Sequence, residues 1–570
     1  MSRDAAPQRD AEAALMAVPW LRDRGDSMRP DPLLTEQRIS TMRAAGRWSD
    51  WRIEKCFEQS VQGQPDAIAV VDHNCETGRS STLSYRELNE RVLCIAAALY
   101  ERGVRSQDVV AIQLPNWWEF IATHLACARL GAITNPLMPI FRERELAFML
   151  DLAQARVLIV PSSFRGFDHS ALAAKLQARI PSLKHVFSVG AQQGGTFEAE
   201  LLSAPHPSTV EAILTMKHSA DSVVQILYTS GTTGEPKGVM HTSNTLFSNI
   251  VPYARRLGLG TDDVVLMASP LAHQTGFMFG MMLPVYLGCK TVLQDVWRPD
   301  QAARIISTHG VTYTMGSTPF LSDLNDHAAK ETGEFRTLRL FHSAGAPIPR
   351  QLVRDASERL GAVIVSGWGM SENGAATTTR PSDPPEKTFE TDGLAMDGME
   401  LRVVDDAGRP LEPGVQGHLQ VRGCSNFVGY LHRPEMYATD EQGWFATGDL
   451  ARLDSDGYVR IIGRSKDVVI RGGENIPVVE IEGLLFKHPA VREIAIVGKA
   501  DARLGERCAA WVVPRGQAPS LSDLTTFLGL QGVSKAYFPE FLRIVEELPK
   551  TPSGKVQKFA LRAREAEGGG

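Results

Sequence analysis

The sequence contains no Cys-x-x-Cys pair, and its seven cysteines are scattered from Cys56 to Cys508. That spacing excludes a structural zinc site of the paired-thiolate kind. The odd count argues against a disulfide framework and for buried thiols in a reducing compartment. A surplus of positive charge is also missing. The formal net charge is −6, which argues against a nucleic-acid partner. Long hydrophobic runs are absent as well. The most apolar internal stretch, Gly276 to Gly288, is too short for the ~20 residues of a membrane span. The N-terminal run MSRDAAPQRDAEAALMAVPWLRDRGDS has acidic residues throughout and no sustained apolar core, so it is not a secretory signal. These absences predict a cytoplasmic protein without stable membrane insertion.

Two common nucleotide signatures are lacking too. No Gly-x-Gly-x-x-Gly opens a helix, and no Gly-x-x-x-x-Gly-Lys is followed by Ser or Thr. What stands instead is VVQILYTSGTTGEPKGVMH, residues 223 to 241. Val223 to Tyr228 is an apolar, β-branched run of strand length. It breaks into Thr229, Ser230, Gly231, Thr232, Thr233 and Gly234, followed by Pro236, Lys237 and Gly238. Hydroxyls, exposed backbone N–H groups, little bulk and one ammonium are what a polyphosphate needs, with glycines letting the backbone come close. A flexible surface turn would share this composition. A lysine framed by Pro and Gly directly after a strand favours the phosphate reading.

At 570 residues the chain is too long for one core. Residues 1–30 read as a disordered extension, and folded sequence is expected from about Pro32. Ser84 to Glu87 form a capping box, and Leu88, Val92, Ile95, Ala96 and Leu99 recur behind it at helical spacing. Strands and helices alternate through Val109–Gln113, Trp118–Leu130, Val157–Val160, Leu172–Ile180 and Val186–Val189, which predicts α/β layers on parallel strands. Ser243 or Asn244 can cap a helix to about Leu257. Two later strands end in small residues, Gly345-Ala346-Pro347 and Gly367-Trp368-Gly369-Met370-Ser371-Glu372. Ligand sites of α/β folds gather at such strand ends. Glycine-rich β segments follow from about Gly393, with Asp449 after a Gly turn, where a carboxylate can accept from two vicinal hydroxyls; a solvated loop aspartate is the plain alternative. Gly463 to Asp467 is a polar knot between apolar runs and reads as a domain boundary. The chain closes with Leu548-Pro549-Lys550-Thr551-Pro552-Ser553-Gly554-Lys555, which exposes one lysine on a loop.

Taken in order, these motifs resemble the adenylate-forming (AMP-binding) superfamily, which includes acyl-CoA synthetases, peptide-synthetase adenylation domains and luciferases. The resemblance runs from about residue 35 to 560. It implies an α/β fold: a large N-terminal domain of stacked sheets and helices over 31–463, a hinge at 464–467, and a small mobile α+β lid over 468–570. It implies three substrates, a small-molecule carboxylic acid, ATP and coenzyme A, with Mg²⁺ as cofactor. The oligomeric state stays open, a homodimer being one option.

By the same resemblance Lys555, Lys237 and Glu372 are catalytic, and Glu372 is the metal ligand. Thr229 to Gly234, Gly345, Ala346, Pro347, Gly367, Trp368, Gly369, Met370 and Ser371 bind nucleotide. Trp368 and Ser371 stand where the family has Tyr and Thr in Tyr-Gly-x-Thr-Glu. Asp449 and Arg464 are directed at the ribose, Lys466 is the pivot, and Gly473 lies on the thiol-tunnel loop. There Pro477-Val478 replaces the usual Tyr-Pro. His273 is a candidate for the acyl pocket, although a lone histidine beside apolar residues is more often a packed one. Acetate-activating relatives carry a tryptophan at the slot of Gly369, so the pocket floor is expected to be open here, with Gly369→Trp filling it. The runs Asp31-Pro32-Leu33-Leu34, Gly46-Arg47-Trp48 and Gly-Gly-Glu-Asn-Ile-Pro-Val-Val-Glu are similar to ligases for medium-chain or alicyclic acids, such as cyclohexanecarboxylate. A carrier-dependent module would need a phosphopantetheine serine in a further domain, for which little sequence follows Lys555. A stand-alone adenylation domain and a non-catalytic nucleotide-binding regulator are the alternatives.

Overall fold

A computed structural model describes residues 30–75, 77–190, 196–229, 236–331, 333–345, 348–465, 468–471, 474–476, 478–501, 503–551 and 554–567. All of the expected N-terminal extension except Pro30 lies outside them. Among the described residues, the β-branched runs pair into sheets of nine, six, four and five strands, with one two-stranded ribbon. The mixed α/β class read from the alternation is the class observed.

The six-stranded sheet ends in a hairpin of β1 (Val223–Thr229) and β2 (Lys237–Thr242). Their antiparallel register sets Thr229 opposite Lys237, so the phosphate-type loop is bracketed by a fixed pair. The helix α1 (Ser243–Leu257) follows at once. Its cap is Thr242, whose side chain accepts from Thr245 N, and not Ser243 or Asn244 as the sequence suggested. Asn244 is already inside the first turn and donates instead to Asp50 and Asp221.

Next comes a π-helical segment, Gly276–Met282, which no periodicity in the sequence announces. Its glycines explain how it fits. A Cβ at Gly276 would lie 2.1 Å from the Pro270 carbonyl oxygen, and one at Gly280 would lie 2.3 Å from Met267. This wide turn and α1 cover one face of the nine-stranded sheet. That sheet carries β3 (Tyr313–Gly316), then α2 (Thr318–Ala328), β4 (Leu340–Ala344), β5 (Val363–Met370) and β6 (Gly374–Thr378). β3, β4 and β5 are parallel neighbours, and β6 turns back antiparallel on β5. Their carboxyl ends therefore line up Gly345 and Gly367–Met370.

A four-stranded antiparallel sheet ends in β7 (Phe445–Leu453) and β8 (Val459–Arg464), with Asp449 opposite Arg464. Beyond it a five-stranded sheet packs its own apolar clusters, among them Val469, Ile481, Leu485 and Leu524. This C-terminal unit meets the body at α2. Arg515 pairs with Asp326 at 3.6 Å, and Gly554 lies against Ser317 and Pro319. Among the described residues no helix is long and apolar enough to cross a membrane.

Candidate active site

Lys237 leaves β2 beside the segment 427–431, which is laced to that strand by Leu431 N to Gly238 O at 2.8 Å and Met240 N to Gly429 O at 3.1 Å. The N-terminal segment backs this lacing. Arg38 donates to the Phe427 carbonyl at 3.0 Å, and the Trp48 indole donates to Cys424 O at 3.0 Å. Lys237 Nζ accordingly sits 4.8 Å from the ring centre of Tyr430. The Tyr430 hydroxyl in turn donates to Glu372 Oε1 at 2.7 Å. Burial pushes the Glu372 carboxyl up from its ordinary value, while the Tyr430 hydrogen bond, Arg464 and Lys237 pull it back. A buried carboxylate held by a phenol and facing two cations is a hard oxygen donor. It fits a Mg²⁺ ion, which takes one or two carboxylates and completes its shell with phosphate and water.

Trp368, Asp449 and Arg464 form the second group. The Trp368 indole N–H donates to Asp449 Oδ2 at 3.0 Å, and Arg464 Nε lies 3.1 Å from Asp449 Oδ1. The carboxylate is buried and fixed from two sides, and Thr447 Oγ1 accepts from its own N–H at 3.1 Å. Such a carboxylate can accept from vicinal hydroxyls without reorganising.

The turn carrying Ser371 and Glu372 is held by His241, which sequence reasoning passed over. His241 Nε2 is 2.8 Å from the Ser371 carbonyl and Nδ1 is 3.0 Å from Thr245 Oγ1. The carbonyl can only accept, so Nε2 carries the proton and Nδ1 receives the Thr245 hydroxyl. Tyr430 was missed too. The available signals were a histidine in a strand just past Lys237-Gly238, and an aromatic residue in the Gly429-Tyr430 turn.

Burial holds His241 down to about 4, below the 6.5 of an open imidazole. Protons therefore bind the unfolded chain first, and the stability carried by neutral His241 is present above pH ~6.5 and lost as pH falls toward ~4. The full loss is about 3 kcal/mol. Denaturant midpoints should thus drop between pH 7 and 5, and His241→Gln, which keeps a donor but cannot titrate, should flatten that slope.

The Gly369 expectation is corrected. β5 bulges between Trp368 and Gly369, and a Cβ at Gly369 would fall 1.9 Å from the Gly374 carbonyl oxygen. Backbone, not an open pocket floor, occupies that side. Gly369→Trp should therefore disrupt the β5–β6 turn rather than reshape substrate choice. Even Gly369→Ala should cost at least the ~1–3 kcal/mol of an overpacked site, read as a lowered Tm.

His273 follows Ala272 in a tight turn, with its N–H on the Pro270 carbonyl at 2.9 Å. Burial, and then the charge of Lys555, hold it down to about 4. The charge of Lys555 is thus felt at the turn before the π-helical segment. Lys555 is carried on a closed loop. Its N–H reaches Thr551 Oγ1 at 3.1 Å, and its carbonyl accepts from Thr551 N at 2.7 Å. Gly554, at φ +83°, turns the loop onto Ser317, where a Cβ would lie 2.6 Å from the hydroxyl.

Of the remaining candidates, Thr229 closes β1, Gly345 is exposed at the end of β4, and Met370 packs half-buried beside Trp368. Ser230, Gly231, Thr232, Thr233, Gly234, Ala346, Pro347, Lys466 and Gly473 lie outside the described residues.

Comparison with known proteins identifies the family. The family model "AMP-binding enzyme" matches residues 57–431 and "AMP-binding enzyme C-terminal domain" matches 480–555. A medium-chain fatty-acid–CoA ligase of Escherichia coli K12 is 36% identical over 545 residues, 95% of each chain. A salicylyl-CoA synthase / salicylate adenylyltransferase of Streptomyces is 32% identical, covering 96% of this chain and 97% of its own. The crystal structure of ATP-bound MatB from Rhodopseudomonas palustris superposes with a TM-score of 0.81 at 28% identity, over 91% of this chain and all of that one. The chain belongs to the AMP-binding enzyme family and is an adenylate-forming acid ligase.

Proposed function

We propose that the chain is an ATP-dependent acid:CoA ligase for a medium-chain or alicyclic carboxylic acid. One observation supports the catalytic part of this reading: the loop that carries Lys555 packs through Gly554 on Ser317, at the carboxyl end of β3, while Lys237 and Glu372 meet at Tyr430 and Trp368 and Arg464 meet at Asp449. The similarity to a medium-chain ligase supports the acid class.

In the first half-reaction the acid's carboxylate attacks the α-phosphorus of ATP and pyrophosphate leaves. Asp449 and Arg464 hold the ribose, and Trp368 packs against the base. The 229–237 loop, with Lys237 at its end, holds the departing phosphates. Lys555 lies between carboxylate and α-phosphate and offsets the charge that builds there. Bound beside Glu372, Mg²⁺ would supply charge neutralisation on phosphate oxygen. The hinge at 464–467, with Lys466 as pivot, then withdraws Lys555 and swings the Gly473 loop inward. The coenzyme A thiol attacks the acyl carbon and AMP leaves. Lid motions of this kind can set turnover.

A second reading has support of its own. Relatives include the 2,3-dihydroxybenzoate-AMP ligase of Bacillus subtilis, 31% identical over 531 residues, so transfer to a carrier protein is the rival second step. ATP–pyrophosphate exchange across straight-chain, alicyclic and aromatic acids tests the first step. Acid-dependent loss of coenzyme A tests the second. Exchange without thioester formation would favour the carrier-dependent rival.

A further inference from the structure

The helix Glu36–Ala44 has nine residues and none of them is buried; Ile39 and Met42 only lean on the core. A helix this short is marginal by itself, and little apolar burial fixes its position. Polar ties do so, and they converge on one stretch of chain, residues 424–432. Leu33 N donates to Val428 O at 2.6 Å. Arg38 Nη1 donates to Phe427 O at 3.0 Å, and Nη2 donates to Asn426 O. The Trp48 indole donates to Cys424 O at 3.0 Å, with the Arg38 guanidinium 5.5 Å from its ring centre. At the other end His432 N donates to Asp31 Oδ1 at 2.9 Å. Residues 31–48 thus form a strap across this loop.

The loop's carbonyls take the strap's donors, while its N–H groups point at the site. Phe427 N donates to Glu372 O at 2.7 Å, and Val428 N donates to Met240 O at 3.0 Å, on the strand that begins with Lys237. Asn426 O and Phe427 N belong to one peptide unit, and Phe427 O and Val428 N to the next. Each unit is planar, so gripping its carbonyl also aims its N–H. The Arg38 fork therefore holds two consecutive planes from behind, one aimed at Glu372 and one at β2. A charged donor on each carbonyl also polarises the N–H across the plane. Two residues on, the Tyr430 hydroxyl donates to Glu372 Oε1 at 2.7 Å. The loop thus fixes Glu372 at its backbone and at its carboxylate together. A tie that only pinned the N-terminal segment would not need this alignment. Arg43 shows what such a tie looks like, pairing with Asp50 at 2.8 Å and Asp221 at 2.6 Å.

Resting on the ligase reading above, with Glu372 as the Mg²⁺ ligand, we propose that Arg38 is a positioning residue for metal-dependent nucleotide binding. It acts through the two peptide planes of residues 426–428 and the Tyr430 hydroxyl, which together set the orientation of Glu372. Hydrogen-bond partners of a metal-ligating carboxylate tune its affinity for the ion. Lysine cannot take this place fully, because an ammonium is a point donor and lacks the planar fork that spans two carbonyls.

The test is calorimetric titration of the full-length enzyme with ATP, once with excess Mg²⁺ and once with a chelator, with Tm measured alongside. The quantity read is the gain in ATP affinity that Mg²⁺ brings. Tyr430→Phe keeps the ring beside Lys237 and should cut that gain by about 10–100-fold, the usual cost of losing a partner of a metal ligand. Arg38→Ala should reach the low end of that range, about tenfold. Arg38→Lys should fall between it and wild type, and affinity without metal should hold in all three. The Arg38→Ala/Tyr430→Phe double variant should lose less than the product of the single losses, because both act on one carboxylate. Arg43→Ala loosens the same helix without touching 424–432, so it should lower Tm and leave the gain intact. An unchanged gain in Arg38→Ala, equal losses with and without Mg²⁺, or an equal loss in Arg43→Ala overturns this inference and leaves the ligase reading standing. A gain that Glu372→Gln leaves untouched overturns Glu372 as the metal ligand, and this inference with it. The ligase reading fails separately, by the absence of acid-dependent ATP–pyrophosphate exchange.

Discussion

Lys555→Ala is expected to lower acyl-adenylate formation by ~10²–10³-fold, the usual cost of one preorganised electrostatic contact, while thioester formation from supplied acyl-adenylate is largely spared. The substitution should be clean. The loop that presents the lysine is closed by its backbone, through Lys555 N to Thr551 Oγ1 and Thr551 N to Lys555 O, and both bonds survive truncation to alanine. The turn onto Ser317 belongs to Gly554 and is also untouched. A second readout is independent of turnover. Lys555 helps hold the His273 imidazole down, after burial, so the variant should titrate His273 upward, visible by NMR. Matched losses in the two half-reactions would contradict a lysine that serves adenylation alone. An unmoved His273 would contradict the closed geometry.

Residues whose role is written into a contiguous string could be found without a fold. Lys237 follows a strand and a Gly-rich loop, Glu372 closes Gly-Trp-Gly-Met-Ser-Glu, and Arg464 sits in a polar knot. The α/β layers were legible for a similar reason, since apolar runs of strand length alternate with helical spacing. Tyr430 and His241 were not legible. Tyr430 matters because 58 positions separate it from the Glu372 it binds, and His241 because 130 separate it from the Ser371 carbonyl. Nothing local shows what either one binds. Gly369 shows the opposite failure. A missing side chain was taken as space, but glycine is equally required where another backbone already fills that space, as the Gly374 carbonyl does. The π-helical segment escaped because its apolar run matches neither the helical nor the strand period, and only the close approach to Pro270 and Met267 explains its glycines.

Asp449→Asn should raise the KM for ATP by about ten- to a hundredfold and change kcat much less, because a buried carboxylate held by two donors loses the charge that both of them face. The geometry shows why so small a change is severe. Two donors face the carboxylate, Trp368 Nε1 on Oδ2 and Arg464 Nε on Oδ1. An asparagine offers one oxygen and one NH₂, so whichever way it turns, its NH₂ meets either the Trp368 indole N–H or the Arg464 guanidinium. Arg464 also loses the charge that pairs it on β8. Trp368→Phe serves as the control. It removes the indole donor but leaves a ring and an intact Asp449–Arg464 pair, so it should cost the ~1.5–3 kcal/mol of one hydrogen bond to a charged group, at most about the effect of Asp449→Asn. Equilibrium binding of ATP by calorimetry separates the two variants from any effect on chemistry. Equal ATP affinity in Asp449→Asn and wild type would mean that Asp449 only braces Trp368 and Arg464, and that the ribose is held elsewhere.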